Sequence, residues 1–369
     1  MMMRPPLSPI VAELPSTVPF VGPEAQERAR GARFKARIGA NESVFGPSEK
    51  VVAAIKAEAS HAWQYCDPEN HDLRQALAAY HGISPDNILV GEGIDGLFGV
   101  TARLFVAPGD KVATSHGAYP TFNYQVAGAG GTIVTCPYVA DREDLSSLID
   151  LAKREQTKLI YLANPDNPIG TWWHGKEIEA MIKDIPEGTA LCLDEAYGEF
   201  APAGTLPDLD PYNPQVLRFR TFSKAYGLAG CRIAYVIGEA RMIQAYDKIR
   251  NHFGVNRIAQ AAALAALEDQ DWLDTVVVRV QVARNEITRI AHENNLEVVP
   301  SAANFVAVDC GGDGVFAKAV MESLLQQGLF VRMPGVAPLN RCIRITTGRE
   351  DDLELLEKAL PIALAAARG

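Results

Sequence analysis

The chain has 369 residues, of which 48% are hydrophobic and 22% charged, and its formal net charge is -10 at pH 7. This length allows a large core, so we expect one large domain and a smaller one. The acidic balance argues against a nucleic-acid-binding surface, and no apolar stretch reaches membrane-spanning length. The six scattered cysteines argue against disulfides and a zinc site, and the N-terminus lacks a signal-peptide core. Together they predict a cytoplasmic protein.

The first part of the chain predicts an extended arm followed by a sheet. The arm, up to about Gly39, is rich in proline and glycine. Seven short and mostly continuous apolar runs then indicate strands covered on both faces, hence a largely parallel sheet with helical crossovers. The runs are Ile88–Val90, Lys111–Ser115, Thr132–Pro137, Lys158–Asn164, Ala190–Asp194, Val216–Ser223 and Arg232–Gly238. Only a short loop precedes the last run, which predicts an antiparallel strand there.

Helical segments separate these runs and dominate the region that follows them. Crossover helices are predicted over Gly96–Phe105, Leu145–Glu155 and Lys176–Ile185. Beyond Gly238 we expect helical stretches over 239–268 and 271–295, then strands at Asn304–Asp309, Leu329–Arg332 and Cys342–Thr346, and a final helix at Asp351–Ala366.

The predicted fold is α/β: a large domain with a mostly parallel seven-stranded sheet covered by helices, plus a smaller α+β domain. We predict an N-terminal arm over 1–39 that packs with the small domain, a large domain over 40–250 and a small C-terminal domain over 251–369.

One lysine stands out as a chemical group. Lys224 follows an extended apolar run, and burial there would favour its neutral amine, which can condense with an aldehyde. Thr221, Ser223 and Arg232 add two hydroxyls and a cation, a set that suits a phosphate ester. Pyridoxal 5'-phosphate carries both an aldehyde and a phosphate. The simpler interpretation is a solvated loop lysine, so the remaining cofactor partners must come from elsewhere.

Polar residues at the ends of other predicted strands supply those partners, because ligands of open parallel sheets bind beyond the carboxyl ends of the strands. Asp194 could pair with a protonated pyridine nitrogen, although a helix N-cap is its simpler role. Tyr197 and Asn167 could hydrogen-bond to the phenolic oxygen of the cofactor. Phe122 could stack on the ring, and each of these three also has an ordinary packing or turn role.

A glycine-rich loop offers a phosphate site. Residues 91–96 follow the first strand and open a helix, so the amides near Ile94 and Asp95 can bind phosphate at its N-terminus. The loop lacks the spacing of a dinucleotide-binding fingerprint.

With Asn-Pro-Asp-Asn-Pro-Ile-Gly at 164–170, Asp-Glu-Ala-Tyr at 194–197 and Ser-Lys-Ala-Tyr-Gly-Leu-Ala-Gly-Cys-Arg at 223–232, the chain resembles the fold type I pyridoxal-phosphate aminotransferases of class I/II. Within them it is most similar to the histidinol-phosphate aminotransferase branch. The resemblance runs from about Pro19 to the final helix.

The resemblance implies a role for each matching residue. Lys224 would bond covalently to the cofactor and serve as the general base, with Asp194 and Tyr197 completing the catalytic set. The cofactor would be held by Ile94, Asp95, Phe122, Asn167, Asp194, Tyr197, Thr221, Ser223, Lys224 and Arg232. Tyr65 matches a tyrosine that reaches the neighbouring subunit's cofactor, which implies a homodimer with shared sites.

On the substrate side, the resemblance implies that Arg344 receives a carboxylate or phosphate, with Arg332 as its companion and Asn167 and Phe20 beside them. Phe45 and Tyr119 are expected to line the same side. The branch usually has a tyrosine where this chain has Phe20, and it has Asn-Glu-Asn-Pro-Tyr where this chain reads Asn-Glu-Ser-Val-Phe-Gly-Pro from Asn41.

The implied reaction moves an amino group between an amino acid or histidinol phosphate and a 2-oxo acid, with 2-oxoglutarate as the expected acceptor, by a ping-pong mechanism. The alternatives are an aromatic amino acid aminotransferase and a decarboxylase or lyase on the same scaffold. Two other classes have less support. A cofactor-binding regulator would need a DNA-binding segment that the arm is too short to supply, and an oxidoreductase would rest on the glycine-rich loop alone.

Overall fold

The structure, a computed structural model, describes residues 4–16 and 21–369. Its helices are α1 (Pro9–Glu13), α2 (Pro23–Arg30), α3 (Glu49–Ala59), α4 (His71–His81), α5 (Gly93–Phe105), α6 (Pro120–Gly128), α7 (Leu145–Glu155), α8 (Gly175–Lys183), α9 (Ala240–Tyr246), α10 (Arg257–Glu268), α11 (Gln270–Glu293), α12 (Gly314–Gln327) and α13 (Glu350–Arg368). Its strands are β1 (Ala36–Arg37), β2 (Ile88–Gly91), β3 (Lys111–Ser115), β4 (Thr132–Cys136), β5 (Tyr138–Val139), β6 (Arg142–Glu143), β7 (Leu159–Ala163), β8 (Ala190–Asp194), β9 (Val216–Thr221), β10 (Ala234–Ile237), β11 (Glu297–Val299), β12 (Phe305–Asp309), β13 (Leu329–Phe330) and β14 (Cys342–Thr346).

A seven-stranded sheet forms the centre of the large domain, in the order β2-β10-β9-β8-β7-β3-β4. Only β10 in this sheet opposes the other strands, since it is antiparallel to both β2 and β9. The central strands β7 and β8 are buried along their whole length because helices cover both faces. The mostly parallel sheet and its antiparallel strand β10 are confirmed.

Alternate residues of the central strands enter two different cores. Tyr161 and Cys192 pack into one core, while Leu162 and Leu193 pack into the other with residues of α7 and α8. This alternation follows from the two-residue period of a strand. It leaves the strand ends, rather than the strand faces, to carry polar chemistry.

A buried ion-pair cluster joins the ends of β8 and β9. Glu195, which follows β8, is fully buried and accepts hydrogen bonds from Arg218 Nη2 at 2.6 Å and Arg220 Nε at 3.0 Å. Burial raises the pKa of this carboxyl, but the charges of the two arginines outweigh it and hold the pKa below its usual value. The cluster therefore fixes the strand ends that precede Lys224 and carry Asp194.

The small domain contains the antiparallel sheet β11-β12-β14, which packs on α11 and α12, and α13 packs against both of these helices. Strand β1 of the arm pairs in parallel with β13, and Ala36 and Ile38 belong to the small-domain core. Residues at the end of the arm therefore contact this domain.

The division between the two cores differs from the predicted boundary at residue 250. Helix α10 packs on α3 and α4, and the large core continues along α11 to Val280, whereas the small core begins at Ala283. The two cores therefore meet within α11, because one long helix contributes its two halves to different domains.

Two secondary-structure predictions were wrong in detail. The expected continuous helix over 239–268 is divided into α9 and α10, because the segment between them contains Asn251 and Gly254, and Asn256 caps α10 by accepting a bond from the Ala259 amide. The arm is not simply extended, since α1 and α2 lie within it. Helix α2 begins at Pro23 and ends at Arg30, and the next residue, Gly31, has a left-handed backbone. None of the helices in the described ranges is both long and apolar enough to cross a bilayer.

Candidate active site

A cavity of about 580 Å³ opens at the carboxyl ends of the parallel strands, between the large sheet and the small domain. Most of the predicted site residues line it. Those that line it are Ile94, Asp95, Asn167, Asp194, Tyr197, Thr221, Ser223, Lys224, Arg232, Arg332 and Arg344. They come from positions up to 250 residues apart, so their convergence supports a single site.

Lys224 projects into this cavity from the loop after β9. Its Nζ donates a hydrogen bond to the backbone carbonyl of Asn41 at 3.2 Å and lies 5.6 Å from the centroid of the Tyr197 ring. Burial, reinforced by the positive charges of Arg344 and Arg232, lowers the pKa of Lys224 to about 8. A substantial fraction of this amine is therefore neutral near pH 8 and can act as a nucleophile or a base.

Asp194 is the last residue of β8 and forms part of the cavity wall. Its Oδ2 accepts a hydrogen bond from the Tyr161 hydroxyl at 2.8 Å, and its Oδ1 accepts one from the Ala196 amide at 3.0 Å. Burial raises the pKa of this carboxyl to about 6, against the effect of these two donors. A carboxylate at such a place suits a cationic partner, such as a protonated pyridine nitrogen.

The Tyr197 hydroxyl receives two amide donors. Asn41 Nδ2 lies 2.9 Å and Asn167 Nδ2 3.2 Å from its oxygen. Because both lone pairs of the hydroxyl are occupied in this way, its own proton is free to be donated into the cavity. Burial raises the pKa of Tyr197 well above its usual value, so the hydroxyl keeps that proton.

Another part of the cavity wall is rich in hydrogen-bond donors that suit a phosphate. Ser223 and Thr221 are buried and hydrogen-bonded to each other, with 3.0 Å between their hydroxyl oxygens. Arg232 approaches the first turn of α5, where its Nη2 lies 3.7 Å from Asp95 Oδ2. A Cβ on Gly93 would lie only 2.5 Å from Arg232 Nη2, so glycine is needed for this approach. Hydroxyls, a guanidinium and a helix N-terminus together fit a phosphate ester.

Two arginines form the remaining polar wall. Arg332 and Arg344 are paired backbone to backbone by an isolated antiparallel bridge. Arg344 Nη1 donates to Asn167 Oδ1 at 2.6 Å, while in the described part of the chain its buried Nε has no hydrogen-bond partner. Burial lowers the pKa of this guanidinium, yet arginine remains charged. A half-buried cation with a buried, unused donor suits an anionic ligand.

Phe122 is the clearest correction to the predicted site. Its ring is fully buried and stacks on Tyr161, with 4.8 Å between ring centroids and 18° between planes. Tyr119, the residue before the first turn of α6, lines the cavity instead. Phe122 lies further along α6 and faces the core, so it is not available to stack on a ligand in the cavity.

Phe45 and Tyr65 do not line this cavity. Phe45 does not reach the cavity wall and lies 5.8 Å beneath the guanidinium of Arg279. Tyr65 is 81% exposed and packs against Phe253 in a tilted arrangement, with 5.1 Å between the ring centroids. The prediction for Phe20 lies outside the described residues.

Sequence reasoning missed the side chains of Asn41 and Tyr161 as contacts of the site. The sequence marks Asn41 only as the start of an atypical motif, although its positive φ of 56° makes it a special position in the backbone. Tyr161 was not predicted as a site residue because it lies within an apolar strand. A tyrosine in a strand that is buried on both faces is itself a signal, because its hydroxyl needs a partner there.

Comparison with known proteins agrees with this geometry. Residues 35–360 match the model of the family "Aminotransferase class I and II". A crystal structure of histidinol-phosphate aminotransferase from Sinorhizobium meliloti, in complex with pyridoxal-5'-phosphate, is 53% identical over 97% of both chains, with a TM-score of 0.94. Histidinol-phosphate aminotransferase 1 from Nitrosococcus oceani is 35% identical over 347 residues, 91% of this chain and 92% of its own length. An L-threonine-O-3-phosphate decarboxylase from Porphyromonas gingivalis shares the fold, with a TM-score of 0.74 and 21% identity over 89% of this chain and 99% of its own.

Proposed function

Since the chain belongs to the class I and II aminotransferases, we propose that its amino donor is histidinol phosphate and that its amino acceptor is a 2-oxo acid such as 2-oxoglutarate. The enzyme is a pyridoxal-phosphate-dependent aminotransferase. The observation that carries the choice of donor is Arg344, a half-buried cation at the cavity wall whose buried Nε has no hydrogen-bond partner in the described structure. Phosphate and carboxylate are the groups that such a guanidinium binds best.

The chain's residues fit the cofactor at every point where it needs a partner. Ser223, Thr221, Arg232 and the N-terminus of α5 would hold its phosphate, and Asp194 would pair with its ring nitrogen. The bound cofactor supplies an electron sink that stabilises negative charge on the carbon next to the transferred nitrogen. Tyr119 lines the cavity between these groups and offers an aromatic surface.

The chain's own residues move and orient protons around that carbon. Lys224, with a pKa of about 8, takes up a proton at Nζ and returns it nearby, as general base and then general acid. Its hydrogen bond to the Asn41 carbonyl keeps the freed amine within the cavity. Tyr197 keeps its hydroxyl proton and acts as a hydrogen-bond donor, because Asn41 and Asn167 occupy the acceptor sites of its oxygen. A donor and an acceptor that use one site in turn give ping-pong kinetics.

Two alternatives remain distinct from this proposal. An aromatic amino acid would also find apolar surface, since Tyr119, Tyr124, Met333 and Val336 line the cavity. It would bring its carboxylate, but no phosphate, to Arg344. A decarboxylase is supported by likeness of fold alone, at 21% identity.

A half-reaction screen of the purified holoenzyme tests the donor. We expect histidinol phosphate and glutamate to bleach the visible band of the cofactor rapidly, and dephosphorylated histidinol to react at least ~100-fold less efficiently because the charge-assisted contacts to its phosphate are lost. Phenylalanine or tyrosine reacting faster than histidinol phosphate would contradict the proposal. Release of carbon dioxide would instead indicate the decarboxylase.

We further propose that the enzyme is a homodimer in which Tyr65 reaches the neighbouring site. Tyr65 and Trp63 are 81% and 80% exposed in the single chain, and large exposed aromatic side chains are typical of interfaces. Mixing Tyr65→Phe and Lys224→Ala subunits gives a test. If Tyr65 acts across the interface, mixed dimers contain one intact site and regain activity that neither variant has alone. Absence of that gain, with mixed dimers present by mass, would refute the shared site.

A further inference from the structure

We propose that Tyr161 is a positioning residue for the reaction, whose hydroxyl holds the Asp194 carboxylate ionised and in place to pair with the ring nitrogen of the cofactor. The inference rests on the proposed cofactor site. It adds a group that does not touch the ligand and acts through Asp194. The aromatic side chains packed around Tyr161, including Phe122, would then serve to hold its hydroxyl against Asp194, a function distinct from stacking on the cofactor.

The contact between the two residues is direct and enclosed. The Tyr161 hydroxyl donates to Asp194 Oδ2 at 2.8 Å, and both side chains are buried, with Tyr161 at 0% and Asp194 at 6% exposure. The two residues lie on the adjacent parallel strands β7 and β8. A short hydrogen bond to a carboxylate in such surroundings is stronger than one between neutral groups.

The direction of this hydrogen bond is fixed. Burial and the neighbouring charge of Asp194 raise the pKa of Tyr161 far above its usual value, so its hydroxyl keeps its proton at neutral pH. A hydroxyl that donates to a carboxylate stabilises the charged form of that carboxylate. Tyr161 therefore opposes the effect of burial, which favours protonation of Asp194.

Aromatic neighbours hold the Tyr161 ring from two sides. Phe122 stacks on it at 4.8 Å, and Phe98 meets it edge-on at 5.6 Å with 86° between the planes. A phenylalanine would fill this space in the core almost as well. Packing alone does not require the hydroxyl. A buried hydroxyl must find a hydrogen-bond partner, because an unpaired one lowers the stability of the fold.

Other groups around Asp194 also influence its charge. Asp95 of α5 opposes its ionisation and Lys224 favours it. Glu143, Tyr119, Tyr197 and Cys192 also interact electrostatically with it. The substitution Tyr161→Phe leaves all of these in place, so a change that it causes reports on the lost hydroxyl.

Cofactor retention as a function of pH tests the inference without measuring turnover. Holoenzyme is first converted to its amino form with glutamate, which frees the cofactor from Lys224, and its dissociation constant is measured by equilibrium dialysis from pH 5.5 to 8.5 on the parent, Tyr161→Phe and Tyr246→Phe. Tyr246 is a matched control, because it is also fully buried in the same core and shares a 2.7 Å hydrogen bond with Thr101 Oγ1.

The expected result follows from the ionisation of Asp194. Affinity should fall as the pH drops through about 6 in the parent, because a protonated Asp194 no longer pairs with a cationic ring. Without the Tyr161 donor this midpoint should rise by about one pH unit, which weakens binding about fivefold at pH 6 and less than twofold at pH 8.5. Tyr246→Phe should follow the parent curve at every pH.

The outcomes separate this inference from the proposed cofactor site. Superimposable curves for the parent and Tyr161→Phe would overturn the role of Tyr161, and so would an equal shift in Tyr246→Phe. No retention of cofactor by the parent even at pH 8.5 would overturn the cofactor site itself. In an Asp194→Asn background, adding Tyr161→Phe should leave the pH dependence unchanged, since no carboxylate remains to be shifted.

Discussion

Arg344 Nη1 donates to Asn167 Oδ1 at 2.6 Å, and Asn167 Nδ2 in turn donates to the Tyr197 hydroxyl at 3.2 Å. One asparagine thus joins the cation proposed to bind substrate to the tyrosine proposed to bind the cofactor. Because arginine can only donate, this contact also fixes which end of the Asn167 amide faces Tyr197. The orientation of Arg344 and Tyr197 therefore depends on a neutral side chain at position 167.

The substitution Asn167→Asp should weaken anion binding strongly. The new carboxylate would pair with Arg344 and compete with the substrate's anion, so we expect the dissociation constant of a dicarboxylate inhibitor to rise by about 10- to 100-fold. Asn123→Asp is the control, since Asn123 lines the same cavity while its Oδ1 has no hydrogen-bond partner in the described structure. Equal weakening by both substitutions would mean that added charge alone, rather than pairing with Arg344, is responsible.

Much of the fold and the cofactor site could be predicted because the signals are local. Asp194 and Thr221 end continuous apolar runs, and such strands place their last residues at one edge of a parallel sheet. The break between α9 and α10 was not predicted, because both halves of the segment have apolar residues at helical spacing and only Asn251 and Gly254 mark the break.

The errors arose where the outcome depends on contacts between distant parts of the chain. Tyr119 and Phe122 are three residues apart, and which of them faces the cavity depends on where α6 begins relative to the sheet edge. Asn41 contacts Thr346 across 305 residues. No local pattern specifies such a pair, whereas the strand ends are specified by their own sequence.

Lys224 should react with amine-directed reagents at an unusually low pH. Its pKa of about 8 means that the neutral, reactive amine increases as the pH rises through 8 and then reaches a plateau. Labelling of the enzyme freed of its cofactor, read peptide by peptide by mass spectrometry, should give that midpoint. Lys50 provides an internal reference, because its ion pair with Asp269 at 2.8 Å raises its pKa. A Lys224 midpoint at or above that of Lys50 would contradict the assignment.

Gly93→Ala should weaken cofactor binding by displacing Arg232. The added Cβ would lie 2.5 Å from Arg232 Nη2, and the backbone at Gly93 has a φ of 75°. Gly188→Ala is a matched control, because Gly188 has a φ of 79° with no atom within 4 Å of an added Cβ. Both variants should lose about 1 kcal/mol in the free energy of unfolding from backbone strain. Only Gly93→Ala should raise the cofactor dissociation constant, by at least ~10-fold through the lost phosphate contact.

Denaturant unfolding and equilibrium dialysis distinguish these two effects. If the Arg232 side chain can move aside without loss, Gly93→Ala and Gly188→Ala will bind the cofactor equally well despite similar changes in stability. That result would remove Arg232 from the phosphate site and leave the hydroxyls of Thr221 and Ser223 with the N-terminus of α5 as its only donors.

Asn41 should contribute separately through its backbone and its side chain. Its backbone is left-handed, with a φ of 56°, and its carbonyl accepts the Lys224 amine. Its side chain donates to Tyr197 at 2.9 Å and accepts from Thr346 Oγ1 at 3.0 Å. Glycine tolerates the backbone conformation and removes only the side-chain contacts, whereas alanine removes the contacts and also adds strain.

We therefore expect Asn41→Gly to lose about 1–2 kcal/mol in the free energy of unfolding, and Asn41→Ala about 1 kcal/mol more. Both variants should show the same decrease in the rate of the first half-reaction, about 10-fold, because each leaves Tyr197 with one amide donor instead of two. Stopped-flow measurement of that rate, set beside denaturant unfolding, checks the separation. A rate that falls in step with stability, lower for alanine than for glycine, would show that Asn41 acts through the backbone and not through its bond to Tyr197.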